Sequence, residues 1–130
     1  NASIAIQTTS FPNITIEGYD NMPPGSYIGV FYDNGSNSYG CGGFSQWPDD
    51  NDNFVIAAWG DDPTTNSVDG FFGGQPFTWF LRINNSDDPL DGWTDYFGDN
   101  VVMDDSSIYQ ENWGANAFLN LLSVNFALYA

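Results

Sequence analysis

Along most of this chain, apolar residues recur at every second position in short runs separated by turn residues. Ala2, Ile4 and Ile6 alternate with Ser3, Ala5 and Gln7, and Ile14 and Ile16 alternate with Asn13, Thr15 and Glu17. Both runs have the period of half-buried strands. Pro23-Pro24-Gly25 breaks the chain before Tyr27–Asp33, a run apolar on both faces like a central strand of a sandwich. Asn34-Gly35 follows, the strongest short signal for a hairpin. The partner strand spans about Ser38 to Trp47, and Gly40, Gly42 and Gly43 within it predict a bulge or a close backbone approach.

Further strands are predicted at Phe54–Trp59, Phe77–Ile83 and Trp93–Phe97, with a brief apolar stretch at Val101–Met103. The chain closes with Ala117–Ala130. A helix through Phe118, Leu121, Leu122 and Leu128 competes there, but alternation from Leu122 onward favours a strand. That reading places Phe118, Leu122, Val124, Phe126 and Leu128 on one face. The expected fold is all-β, a β-sandwich or jelly roll of about eight to ten short antiparallel strands with little helix. Residues 1–130 fit one domain.

Charge narrows the chemistry. The 130 residues hold 17 acids and one base, Arg82, with no histidine, for a formal charge of −16. Such a polyanion repels phosphate backbones, which argues against nucleic-acid partners. Without His or Lys, Ser-His-Asp, Cys-His, Schiff-base and P-loop chemistries are excluded. Aromatics make up 18% of the chain, so high charge does not imply disorder. No apolar run is long enough for a membrane span. Cys41 is the single cysteine and is expected to be a small buried residue.

Most acids fall in three loops, Pro48–Asn53, Gly60–Gly70 and Asn84–Gly92. Calcium takes six to eight oxygen ligands from such loops. Asp61, Asp62, Asn66 and Asp69 make the best candidate cluster, ahead of Asp49, Asp50, Asn51 and Asp52, and of Asp87, Asp88 and Asp91. None has EF-hand spacing, and Asp and Asn equally cap turns by bonding their own backbone. A carboxylate pair could serve a glycosidase, but nothing marks an apolar cleft for a catalytic acid, so no enzymatic activity is expected.

Trp59 and Trp79 lie in apolar strands and read as core. Trp47, Trp93 and Trp113 stand beside polar loop residues, where a ring could stack on sugar. Asn13, Asn34 and Asn84 begin sequons, as does Asn1, and are candidate glycosylation sites. Dense negative charge is best tolerated in salt water, which shortens the Debye length, so an extracellular location is expected. The start at Asn1 fits removal of a leader or excision from a longer chain.

Between Gly25 and Phe80 stand, in order, Gly25-Ser26-Tyr27-Ile28-Gly29-Val30-Phe31-Tyr32, Cys41-Gly42-Gly43-Phe44, Trp47, Ala58-Trp59-Gly60-Asp61-Asp62, Thr64-Thr65, Asp69-Gly70-Phe71 and Phe77-Thr78-Trp79. With these elements the stretch resembles a repeat-type module of large secreted surface proteins of Bacteroidetes and marine bacteria. Ser26 departs from the pattern, where an acid is usual. The resemblance implies a β-rich secreted module for adhesion or surface architecture and supplies no catalytic residue.

The function expected from the sequence is therefore a non-enzymatic structural module of a surface filament, fibre or adhesin. Copies would associate by strand addition through Phe118, Leu122, Val124, Phe126 and Leu128. The alternatives are a carbohydrate-binding module using Trp47, Trp93 or Trp113, and a virion decoration or tail-fibre protein.

Overall fold

A computed structural model describes residues 1–35, 38–84, 92–104 and 111–129. Its strands are β1 (Ala2–Ile6), β2 (Ile14–Ile16), β3 (Tyr27–Asp33), β4 (Tyr39–Gln46), β5 (Phe54–Ala58), β6 (Thr78–Asn84), β7 (Trp93–Asp104) and β8 (Phe118–Leu128). A 3-10 helix, Thr8–Asn13, joins β1 to β2. The all-β class holds. All eight strands share one sheet, in the order β4-β3-β6-β7-β8-β1-β5, and β2 pairs with β8 beyond the end of β1.

That sheet curls until its two end strands meet, so it is nearly closed into a barrel. The Trp59 N–H donates to the Gly42 carbonyl at 2.9 Å, tying the end of β5 to β4. The predicted bulge and close approach are both here. Val30 pairs with Gly43 and Phe31 with Cys41, which leaves Gly42 as the extra residue. A side chain on Gly43 would collide with the Ala57 carbonyl, and one on Gly42 with the buried Phe71 ring. Glycine is thus required where the curled sheet touches itself.

Alternation decides what fills the interior. Ile4 and Ile6, Ile28 and Val30, Trp79, Leu81 and Ile83, and Leu119 and Leu121 all point inward and are essentially inaccessible. Trp79 is core, as predicted, but Trp59 is 36% exposed because it sits just past the end of β5.

Two further expectations need correction. The sheet is not wholly antiparallel, since β1 and β2 both run parallel to β8. Nor do the five β8 residues share a face. Phe118, Leu122 and Leu128 are exposed, whereas Val124 and Phe126 are buried. Phe118 and Leu122 face outward because of a register shift between β7 and β8, where Val102 pairs with Ser123 and Met103 with Leu121, skipping Leu122; Leu128 keeps the phase of Val124 and Phe126 and is exposed at the end of the strand. One extra residue inverts the facing of everything beyond it.

β8 also has neighbours on both sides, β7 along one and β1 with β2 along the other. It is a central strand and offers no open edge for strand addition.

Candidate functional site

The outward faces of β3, β4, β6 and β7 carry an uncommon load of aromatic rings. Residues Tyr27, Gly29 and Phe31 share the outer face of β3 by the two-residue period. Cross-strand register then builds rows. Tyr27 pairs with Arg82, which pairs with Asp95; Gly29 pairs with Phe44 on one side and with Phe80 on the other, and Phe80 pairs with Phe97. Gly29 carries no side chain among these rings, so the sheet is indented there. The result is an open groove of about 700 Å³.

Two ring clusters border it. Tyr27 sits between Phe44, at 6.1 Å between centroids, and Trp93, at 5.7 Å. Beyond Gly29, Phe80 is ringed edge-on by Phe31 at 5.0 Å, Tyr129 at 5.1 Å, and Tyr39 and Phe97 at 5.7 Å. Tyr129 is placed by its own N–H, which donates to the Asp95 carbonyl at 3.0 Å. Phe44 is 58% exposed, Tyr129 51% and Tyr39 47%. A contiguous exposed apolar patch of this kind marks an interaction site on a soluble protein.

One polar feature interrupts the aromatic wall. The Arg82 guanidinium donates from Nε to Asp95 Oδ1 at 2.7 Å and from Nη2 to Oδ2 at 3.1 Å. The pair is well exposed, so its contribution to stability is at most about 1 kcal/mol. The partner of Arg82 is thus its cross-strand neighbour on β7. This bidentate fork gives the groove both donors and acceptors.

Cys41 also lines the groove and is half-buried, more open than a core residue. Burial pushes its thiol above the ordinary value of 9.0, against a weaker opposing pull from the Gly43 backbone. The thiolate is the reactive form. At pH 8 iodoacetamide should therefore modify Cys41 more slowly than free cysteine, with the rate still climbing above pH 9. A rate equal to free cysteine would contradict this placement.

The tryptophans divide differently from the sequence expectation. Trp93 lies on the groove. Trp47 is buried between Phe11 and Phe54, at 4.7 and 5.0 Å, with its Nε1–H donating to Asn51 Oδ1 at 3.0 Å. Trp113 is buried flat against Phe71, and its Nε1–H donates to the Ala58 carbonyl at 2.9 Å. Neither is a sugar platform. Both lie beside polar loops because their indole N–H groups anchor those loops to the core.

The Gly60–Gly70 carboxylates are engaged with their own backbone. Asp69 Oδ1 accepts from the Asp62 N–H at 2.7 Å, Asp61 Oδ1 from the Asp69 N–H at 2.9 Å, and Asp62 Oδ1 from the Thr64 N–H at 2.9 Å. Thr65 Oγ1 donates to Asp69 Oδ2 at 3.1 Å. Gly60 and Gly70 are required because each lacks room for a Cβ, Gly70 against the Gly60 backbone and Gly60 against Trp113. The Trp-Gly-Asp-Asp, Thr-Thr and Asp-Gly-Phe elements thus fold a self-bonded loop.

Asn66 is exposed on that loop. No group of three His, Cys, Asp or Glu side chains converges among the described residues. Asp87, Asp88 and Asp91 lie outside the described residues.

The same bonds set an acid response. The Asp62 N–H, and next the Asp61 side chain, hold the Asp69 carboxyl below its ordinary value of 3.8. A folded value below the unfolded one gives stability that is complete above 3.8 and lost as pH falls through the folded value. The Asp62 amide resonance, which reports on the Asp69 carboxyl, should hold its position from neutral pH to about 4 and move only below it. Movement between pH 5 and 7 would contradict the bonding.

Asn13 is exposed at the end of the 3-10 helix. Asn34 is half-buried, with its Oδ1 accepting from Ser38 Oγ at 2.9 Å, and Asn84 ends β6 opposite Trp93. The serines that complete the Asn34 and Asn84 sequons lie outside the described residues. Among the described residues no helix is long and apolar enough to cross a membrane.

The groove is hidden in the sequence because Tyr27–Asp33, apolar on both faces, predicts a strand buried on both. The usable signal is the aromatic residues at every second position, Tyr27 and Phe31 on β3 and Phe80 on β6, with Arg82 and Asp95 as charged members of the rows that these sheet neighbours form. Comparison with family models, with curated proteins and with solved structures gives no match.

Proposed function

We propose that this chain is a non-enzymatic extracellular adhesive module that binds saccharide in the groove of β3, β4, β6 and β7. The observation that carries the reading is the exposed aromatic wall around one bidentate Arg–Asp fork. Pyranose rings present an apolar face to aromatic rings and hydroxyls to paired donors and acceptors, and this groove offers both. The resemblance of Gly25–Phe80 to modules of secreted surface proteins supports the extracellular adhesin setting, as does the charge of −16.

Catalysis is not part of the reading: among the described residues the groove holds one carboxylate, Asp95, already forked by Arg82. Glycoside hydrolysis ordinarily needs two. Copies of the chain within a filament or fibre would meet through surfaces other than β8.

A glycan array probed with the labelled domain tests the proposal. Retention on a defined subset of glycans is expected, competed by the free sugar. Uniform absence of binding would overturn it.

A further inference from the structure

We propose that the groove selects uncharged saccharides, with the Arg82–Asp95 fork gripping a vicinal diol and excluding acidic glycans. This rests on the saccharide reading above and adds the ligand class and the residues that set it.

Arg82 is the only cationic side chain in the chain, so it alone could meet a carboxylate or sulfate on a ligand. It is already committed. Nε and Nη2 both donate to Asp95, and this charge-assisted pairing shifts the guanidinium pKa further upward. An acidic sugar would have to bring its charge beside the Asp95 carboxylate, on a domain of formal charge −16 whose one guanidinium is already neutralised.

A neutral diol brings no such charge. A guanidinium has five N–H donors and a carboxylate about four lone-pair sites, and the fork uses two of each. The rest can donate to one hydroxyl and accept from its neighbour. Geometry agrees with that role. Arg82 and Asp95 lie in one row with Tyr27, whose ring contacts Phe44 and Trp93, so a sugar with its apolar face on these rings holds its hydroxyl edge toward the fork. The pair is also too exposed to be explained as a staple of the fold.

The test uses matched oligosaccharides, neutral hexose oligomers and their hexuronic acid counterparts of equal length and linkage, at fixed ionic strength. Wild type is expected to bind the neutral member at least about tenfold more tightly. Arg82→Gln should weaken neutral binding by about tenfold or more, the scale of a lost charge-assisted hydrogen bond. Asp95→Asn, which releases the guanidinium, should weaken neutral binding and narrow the neutral-to-acidic ratio by at least about tenfold.

That change of preference is a readout that a merely structural role would not produce, and both residues are exposed enough for the variants to fold. Wild type binding the acidic member as tightly as the neutral one would overturn this inference and leave the saccharide reading standing. An Asp95→Asn ratio equal to wild type would do the same. No binding of any oligosaccharide would overturn both.

Discussion

Gly43→Ala is expected to destabilise the domain by about 3 kcal/mol, at the upper end of the usual cost of overpacking. The added methyl has nowhere to go, because the Ala57 carbonyl already occupies its position where β4 meets β5. Backbone cannot swing aside as a flexible side chain would, so the two ends of the sheet must part and the Trp59–Gly42 hydrogen bond is strained with them. Gly18→Ala is the comparison. Gly18 has φ +83° and open space around it, so only the left-handed backbone penalty of about 1–2 kcal/mol applies. Urea unfolding should show Gly43→Ala losing clearly more than Gly18→Ala at a similar slope. Equal losses would mean that the ends of the sheet are not in backbone contact.

Phe44→Ala is expected to have the opposite profile. Phe44 is 58% exposed and its described ring contact is the edge of Tyr27, so truncation should cost the fold no more than about 1 kcal/mol. Saccharide affinity should fall about 30-fold, the effect of removing an aromatic hot spot worth about 2 kcal/mol. Unchanged affinity would remove Phe44 from the site. A loss of fold as large as the loss of binding would make it a packing residue.

The strands were legible because the period of two survives in a sheet with one buried face. Tyr27–Asp33 was located to the residue, and Phe54, Thr78 and Phe118 lie at or within one position of the ends expected. Three things were not legible, each for a physical reason. The phase inversion in β8 comes from a register slip at Leu122, set by its pairing with β7 and invisible in β8 alone. The parallel placement of β1 and β2 beside β8 joins the two ends of the chain, and no local pattern encodes that.

The groove was hidden because alternation reports two faces without saying which is wet. An outer face of Tyr27, Phe31 and Phe80 reads as core until the inner one is seen filled by Ile28, Val30 and Trp79. Trp47 and Trp113 misled in the converse way: loop position suggested exposure, whereas their N–H groups tie those loops to the interior.

The central claim is that this outer face holds sugar. It is tested most directly by titrating the isotopically labelled domain with a neutral hexose oligosaccharide and following backbone and side-chain resonances. The account expects saturable shifts at Gly29, Phe44, Phe80 and the Arg82 guanidinium, with the Gly60–Gly70 loop and the buried Trp47 and Trp113 indoles unmoved. Shifts centred instead on the separate hollow lined by Phe11, Tyr19 and Met22 would contradict it, as would a spectrum unchanged by any oligosaccharide tried.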